Sequence, residues 1–295
     1  MEHVWFSNKN NIYIFKKMKF FIKTILVIIF SFNLAIADEL KGKILNEASE
    51  QISSKLSDLI PGEGITETSI SFKETDALST DVYYSILAVR DIESTEYSNF
   101  FTQISLRNQE VNDNTRMIAN FGLGYRQLNA DKTFMWGVNS FLDGDLRHKH
   151  RRLGVGLEAK ASLIDLYVNG YQKITNVVTV DNTDEEVLNG YDYSLETQLP
   201  YAPWARIGLT GYEWEKIKAS QDSDGIIYFT DFKINPSLDF GISVDKSNLA
   251  SVEDVWEAEL NFIYPPREKT KTMMDGTSTI AFERENMEAK LREKV

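Results

Sequence analysis

The sequence contains no cysteine among its 295 residues. Disulfide bonds, thiolate metal ligands and cysteine nucleophiles are therefore excluded. Histidine is almost as scarce, because His3, His148 and His150 are the only three. Any histidine-dependent triad would have to use one short segment, and the sequence has no Gly-x-Ser-x-Gly elbow to accompany it. We therefore expect no enzymatic activity, no cofactor and no catalytic residues.

Positive charge is also in short supply. The chain has 44 acidic residues against 32 lysines and arginines, which gives a formal net charge of -12. Binding to nucleic acid depends on clustered basic side chains that neutralise phosphates. The charge balance therefore argues against nucleic acid as a partner, and it suits either a periplasmic protein or a barrel with an acidic interior.

Long apolar runs are absent except near the start, where residues 24–32 are almost wholly apolar and follow several lysines. That run is too short to span a bilayer, and with the Ala35-Ile36-Ala37 cleavage pattern it predicts a secretory signal peptide over residues 1–37. Translation begins either at Met1 or at Met18, which starts a complete signal by itself. Removal of the five lysines and one glutamate in this segment takes the net charge from -12 to -16.

The rest of the chain contains repeated runs in which apolar residues alternate with polar ones. From Leu153 to Lys160, for example, Leu, Val, Leu and Ala occupy one face, and Gly, Gly, Glu and Lys occupy the other. A period of two predicts β-strands with one apolar face. Repeated strands of about 9 to 11 residues are typical of a transmembrane β-barrel, whose alternation also keeps the mean hydropathy low.

The pattern predicts an all-β fold, a twelve-stranded antiparallel transmembrane barrel over residues 63–264. The predicted strands cover residues 65–74, 81–90, 98–107, 114–127, 132–143, 151–161, 163–174, 190–199, 203–215, 226–234, 236–245 and 254–264. Tight connections near residues 129–131, 162–163, 200–203 and 235–236 alternate with longer polar ones at 143–150, 176–189, 216–225 and 246–253. Such alternation indicates short periplasmic turns and long external loops.

Two flanking segments complete the predicted organisation. Residues 38–62 carry apolar positions at helical spacing, which predicts a periplasmic helix or linker that ends at Pro61-Gly62. Residues 265–278 are predicted to be an extended linker, and Ile280 to Leu291 a short polar helix. That helix could lie in the barrel lumen as a plug. Its basic residues Arg284, Lys290, Arg292 and Lys294 would then face Glu158, Glu196, Glu257 and Glu259.

Charged residues on the polar faces of the predicted strands are the candidate site. We expect them to form inward-facing pairs that hold the lumen together and bind the linker: Arg126, Asp143, Asp145, Arg152, Glu158, Asp192 and Glu196. His148 and His150 beside Asp143 and Asp145 could in principle bind a divalent metal, but a solvated or salt-bridged external loop accounts better for them. The adjacent acids Glu185 and Glu186 do not suit a glycosidase, which needs two carboxylates held across a cleft.

Aromatic residues near strand ends are predicted to form girdles at the two membrane interfaces. The candidates for lipid-facing girdle positions are Trp136, Trp204, Trp256, Phe262 and Tyr264. Phe141, Tyr171 and Tyr212 are further candidates at strand ends. Outer-membrane lipid is the partner that this surface implies.

Several separated motifs resemble the β-domain of the inverse autotransporters, the intimin and invasin family. They comprise Asn120–Arg126 (NFGLGYR), Trp136–Asp145 (WGVNSFLDGD), His150–Glu158 (HRRLGVGLE), Asn169–Tyr171 (NGY), Asn189–Asp192 (NGYD), Leu199–Pro203 (LPYAP) and Asn235–Pro236 (NP). The resemblance runs in order over about residues 40–264.

This resemblance implies a Gram-negative outer-membrane barrel whose N-terminus lies in the periplasm and whose linker returns through the lumen. It also implies a barrel-assembly machinery and periplasmic chaperones as partners, since the last strand ends in Phe262-Ile263-Tyr264. Members of the family display adhesive domains toward a host or neighbouring cell surface. No such domain can be built from residues 265–295, so the expected role is translocator or anchor of a C-terminal segment. A small porin-like channel with an acidic lumen is the alternative.

Overall fold

The computed structural model describes residue 54 and residues 61–76, 79–111, 114–180, 182–215, 222–248, 254–268 and 270–295. Twelve strands in this part of the chain form a closed antiparallel barrel, as the alternating pattern predicts. The first strand closes the ring against the last, with Thr66 opposite Tyr264 and Lys73 opposite Glu257. Ring closure leaves no unpaired edge strand, which is a requirement for a sheet that crosses a bilayer.

The strands are numbered in chain order, and each barrel strand overlaps one of the predicted twelve. The barrel strands are β1 Gly64–Asp76, β2 Ser79–Ser94, β3 Ser98–Val111, β4 Asn114–Leu128, β5 Phe134–Asp145, β6 Arg151–Ala161, β7 Ile164–Lys173, β10 Gly190–Leu199, β11 Ala202–Trp214, β12 Ser223–Asn235, β13 Leu238–Ser247 and β14 Val255–Tyr264. The short strands β8 Val178–Val180 and β9 Thr183–Glu185 form a separate hairpin inside the β7–β10 connection. The sequence pattern did not predict this hairpin.

The two ends of the barrel differ in their connections. We call one end the short-turn rim, where residues 95–97, 129–133, 162–163, 200–201 and 236–237 link the strands. At the other end, the long-loop rim, β5 is followed by β6, β7 by β10, β11 by β12 and β13 by β14, and this end also holds the steps from β1 to β2 and from β3 to β4. β1 begins and β14 ends at the short-turn rim, so both segments that flank the barrel leave from the same end.

Alternation along each strand separates a lipid face from a lumen face. On β6 the outward Val155 and Leu157 are 56% and 60% exposed, whereas the inward Glu158 and Lys160 are 4% and 1% exposed. The polarity is the reverse of that in a soluble protein, because lipid rather than water surrounds the outer wall. The buried interior is consequently rich in hydrogen-bonded charged and amide side chains.

Glycines on the lumen face of β4 make room for aromatic rings from the neighbouring strands. A Cβ atom at Gly124 would lie 2.3 Å from Cζ of Phe101, and one at Gly122 would lie 2.1 Å from the ring of Phe141. A glycine opposite a large ring lets the wall pack closely without steric overlap. Close packing of β4, which carries Arg126, against β3 and β5 depends on these pairs of a glycine and a ring.

The predicted helix over Ile280 to Leu291 is wrong. The described residues of the tail contain two single turns of 3₁₀-helix, Met273–Asp275 and Ala289–Arg292, and no longer helix. A helix of about this length is marginal by itself, and here the barrel side chains bind the backbone groups that would close it. No helix among the described residues is long and apolar enough to cross a membrane. The predicted signal peptide and N-terminal helix lie outside the described residues, apart from Ser54.

Candidate functional site in the barrel lumen

All seven predicted lumen residues lie on the inward face of their strands, but they do not form a single cluster. Arg126 and Glu158 pair near the short-turn rim, and Asp143 and Arg152 pair further along the lumen. Asp192 accepts hydrogen bonds from Asn169 and Tyr171. The other two residues, Glu196 and Asp145, belong to clusters described below. Of the seven, Arg126 makes direct hydrogen bonds to the tail.

Arg126 is fully buried and held by contacts from three directions. Its Nε donates to Glu158 Oε1 at 2.6 Å, and its Nη2 donates to Glu158 Oε2 at 3.2 Å. The guanidinium carbon also lies 4.7 Å from the centre of the Phe101 ring, a favourable cation–π distance. A bidentate carboxylate and a ring beneath fix the plane of the guanidinium, so the remaining N–H groups point in defined directions.

The C-terminal tail follows the short-turn rim before it enters the barrel. Arg267 forms a two-point contact with Asp239 of β13 just after the last strand. The indole N–H of Trp204 donates to the carbonyl of Gly276 at 2.8 Å. The backbone of Tyr201 then pairs with Ser278 and Ala281 at 2.8 and 2.7 Å. The tail is thus guided over the β10–β11 turn toward the lumen.

Ion pairs hold the last part of the tail against the walls of β7 and β11. Lys290 lies 2.6 Å from Asp165 and 2.9 Å from Glu285, and Glu285 lies 2.8 Å from Arg206. Arg206 in turn contacts Glu196 at 3.4 Å. Because these side chains are mostly buried, their charges must be balanced locally. The tail supplies one acid and one base to complete this balance.

The expected partners of the tail's basic residues are wrong in detail. Lys290 pairs with Asp165, Arg292 with Asp91 and Lys294 with Glu67, while Arg284 donates to the carbonyl of Asp131. Two of the expected acids are already neutralised by their own wall. Glu158 contacts Arg126 and Lys160, and Glu196 contacts Arg206.

A small apolar contact and a surface ion pair add to the attachment of the tail. Met287 and Leu291 pack with Leu128 and Met135 at the short-turn end of β4 and β5. In the turn between these strands Lys132 contacts Glu96 and Glu288. The hydrogen bonds with Glu288 and Glu96 raise the pKa of Lys132 above its ordinary value, so both contacts favour the charged ammonium.

The β7–β10 loop reaches across the long-loop end of the lumen. Glu185 receives two hydrogen bonds of 2.5 Å from Arg116 on β4, and His150 Nε2 lies 3.2 Å from the same carboxylate. Arg116 also contacts Asp145, which binds His148 at 3.1 Å. A cavity of about 740 Å³ lies between this loop and the wall. The described residues include no group of three or more acidic or histidine side chains arranged to hold a metal.

Aromatic side chains occupy both faces of the wall, and the structure places some of them differently from expectation. Trp136, Trp256, Phe262 and Tyr264 share strand parity with lipid-facing neighbours, and Trp136 is 44% exposed. Trp204 lies at the short-turn rim, where it binds the tail and packs beside Phe232.

Phe141, Tyr171 and Tyr212 face the lumen, so the expectation that they belong to a lipid girdle is wrong. Phe141 and Tyr171 line an interior cavity, and Tyr212 donates to the inward Asp245. Phe141 lies two residues before the inward Asp143, and Tyr171 lies two residues after the inward Asn169. Because side chains alternate along a strand, both rings share the inward face. The same parity rule could have identified further residues that contact the tail but were not predicted as site residues, namely Asn99, Gln103, Asp165, Gln198 and Arg206.

The sequence matches the family "Inverse autotransporter, beta-domain" over residues 31–295. The chain belongs to this family. The inverse autotransporter β-domain resides in the outer membrane of Gram-negative bacteria, where it acts as a β-barrel translocator or anchor. The expected family, fold and location are therefore confirmed.

Curated relatives and a solved structure agree with this assignment. The chain is 28% identical over 165 residues to "Inverse autotransporter adhesin YeeJ" of Escherichia coli K12, covering 55% of this chain and 7% of that relative. It is 31% identical over 122 residues to "Putative attaching and effacing protein homolog" of the same strain, covering 40% of this chain and 39% of the relative. The chain thus spans less than half the length of either relative.

A solved chain from work on in-meso crystallization of membrane proteins superimposes with a TM-score of 0.57 at 20% identity. The superposition covers 68% of this chain and 83% of the solved one. At this identity the likeness shows the fold alone.

Proposed function

We propose that this inverse autotransporter barrel guides the polypeptide after β14 into its lumen from the periplasmic side and toward the cell surface. The observation that carries this proposal is the course of residues 283–295, which enter at the short-turn rim and end beside Gln103 on the inner wall. A tail that only capped the barrel would not need charged and amide partners within the lumen. The short-turn rim would then face the periplasm, and the long-loop rim the exterior.

We further propose adhesion as the role of the exported segment. The support is the names of two relatives, one an adhesin and the other an attaching and effacing protein homolog. The partner would be the surface of a host or neighbouring cell. Periplasmic chaperones and the barrel-assembly machinery would deliver the chain, with the apolar end of β14 as the recognised strand. We propose no enzymatic role for the barrel; its two described histidines contact Asp145 and Glu185 in the network that attaches the β7–β10 loop.

Surface labelling of an epitope fused after Val295 tests the direction of the chain. Labelling in intact cells is expected, with an epitope in the loop at residues 176–189 as the positive control for an external site. A fusion that is labelled only after the outer membrane is permeabilised, beside a labelled loop control, would overturn the proposal. That result would favour the alternative of a porin-like barrel whose tail stays on the periplasmic side.

A further inference from the structure

Four buried side chains bind the main chain of the tail, and one of them, Gln198, also reaches the Glu285 carboxylate at 3.4 Å. Gln198 Oε1 accepts the N–H of Glu283 at 3.0 Å, and Gln103 Oε1 accepts the N–H of Val295 at 2.9 Å. Asn99 Nδ2 donates to the carbonyl of Leu291 at 3.1 Å. All three amide side chains, like Arg126, are at most 5% exposed.

Arg126 makes three contacts with the main chain of the tail. It donates to the carbonyls of Leu291, Glu293 and Lys294 at 3.2, 2.5 and 3.3 Å. Leu291 is apolar, Glu293 acidic and Lys294 basic, yet each presents its backbone carbonyl to the Arg126 guanidinium. Every residue carries a backbone carbonyl, so contacts of this kind supply affinity without requiring a particular sequence.

The charged contacts of the tail are made by other side chains, which belong to β1, β2, β6, β7 and β11. Asp165 and Arg206, which bind Lys290 and Glu285, belong to β7 and β11, whereas Asn99, Gln103 and Arg126 belong to β3 and β4. The wall therefore recognises particular charges through one set of side chains and peptide groups through another. In addition, Asn99 Oδ1 is buried without a hydrogen-bond partner among the described residues, which leaves an acceptor available for a further peptide N–H.

We infer that Asn99, Gln103, Arg126 and Gln198 form a main-chain clamp, a binding site for extended polypeptide of varied sequence. The ligand class is the peptide backbone itself. The inference rests on the proposed function, because a clamp of this kind is useful to a lumen through which successive segments pass. Arg126 is its centre, and Glu158 with Phe101 orients the guanidinium.

Cysteine accessibility provides a direct test, because the chain has no native cysteine. Met287 is 2% exposed against the barrel wall, so M287C in the full chain should react slowly with a maleimide in folded, detergent-purified barrels. R126K keeps the positive charge beside Glu158 but removes the planar fork. It is expected to raise the labelling rate about tenfold or more, since hydrogen bonds from a charged donor are lost.

Neutralising the charged contacts should have a smaller effect. E285Q with K290Q is expected to change labelling of M287C by less than about threefold, because the main-chain contacts remain. R116K serves as the matched control, since Arg116 also binds carboxylates inside the barrel but its recorded contacts are with Asp145 and Glu185, not with the tail. Folding of each variant is checked by its heat-modifiable migration.

The outcomes separate the clamp from charge recognition. Fast labelling of E285Q/K290Q together with slow labelling of R126K would overturn the clamp while leaving the proposed function intact. Fast labelling of M287C in the otherwise unchanged chain would contradict both. Should R126K fail to fold, Q198L carries the same test, because Gln198 binds the backbone of Glu283 and has no charge to leave unpaired. The E285Q/K290Q chain controls for its weaker contact with the Glu285 carboxylate. Slow labelling of folded Q198L would then count against the clamp.

Discussion

Gly124 on β4 lies opposite Phe101 on β3. The Phe101 ring fits there because Gly124 has no Cβ atom. The ring also lies beneath Arg126, so its position affects both the wall and the tail. The glycine motif NFGLGYR is visible in the sequence, and its alternation predicts a strand. The partner ring is 23 positions earlier in the chain and could not be assigned from local spacing.

A Gly124→Ala substitution is therefore expected to destabilise the barrel. The added methyl would have to displace the Phe101 ring, and overpacking of this kind costs about 1 to 3 kcal/mol. The free energy of unfolding in urea, measured in detergent, checks the effect. Gly170→Ala is the matched control, because nothing lies within 4 Å of a Cβ at that position. Equal stability of the two variants would contradict the steric account.

At the scale of elements, sequence pattern was reliable where a segment's structure depends on its own alternation. β5, β6 and β10 were predicted because each shows a period of two along its own residues. The tail was predicted incorrectly as a helix, because its hydrogen-bond partners lie elsewhere. The N–H of Glu283 pairs with Gln198, and the carbonyl of Leu291 pairs with Arg126. These partners are brought close to the tail only when the strands have closed into a barrel.

The loop at residues 174–189 is expected to be released by Glu185→Arg. This change would replace a two-point ion pair by two facing guanidiniums, and breaking a buried pair typically costs about 3 kcal/mol or more. Cleavage of the loop by protease added to intact cells should become faster. Val177→Arg, at an exposed position of the same loop, should leave cleavage near the rate of the unchanged chain. Comparable rates for both variants would show that the Arg116 contact does not hold the loop.

At the scale of the whole molecule, the tail bridges distant parts of the ring. Its contacts include Glu67 on β1, Asp91 on β2, Arg126 on β4, Asp165 on β7 and Arg206 on β11. Inward charges on these strands could be listed from parity, but their partners could not. The sequence of strands around the ring and the path of the tail decide which charges meet.

Deletion of residues 267–295 is expected to increase ion conductance through barrels reconstituted in a planar bilayer. A ring of twelve strands is wider than the eight-stranded barrels that side chains can fill, so removal of the tail should leave a water-filled passage. The E285Q/K290Q chain should remain near the conductance of the unchanged protein, because its main-chain contacts persist. Unchanged conductance after the deletion would show that the tail does not obstruct the lumen.

The pairing of β1 with β14 also constrains the timing of assembly. Hydrogen bonds between these two strands complete a ring around residues 283–295, and a folded body wider than the lumen cannot pass through a completed ring. The segment must therefore either be enclosed while the seam is still open or be threaded later as an unfolded strand. On the first route, the rate at which β1 pairs with β14 limits the time available for the segment to enter the barrel.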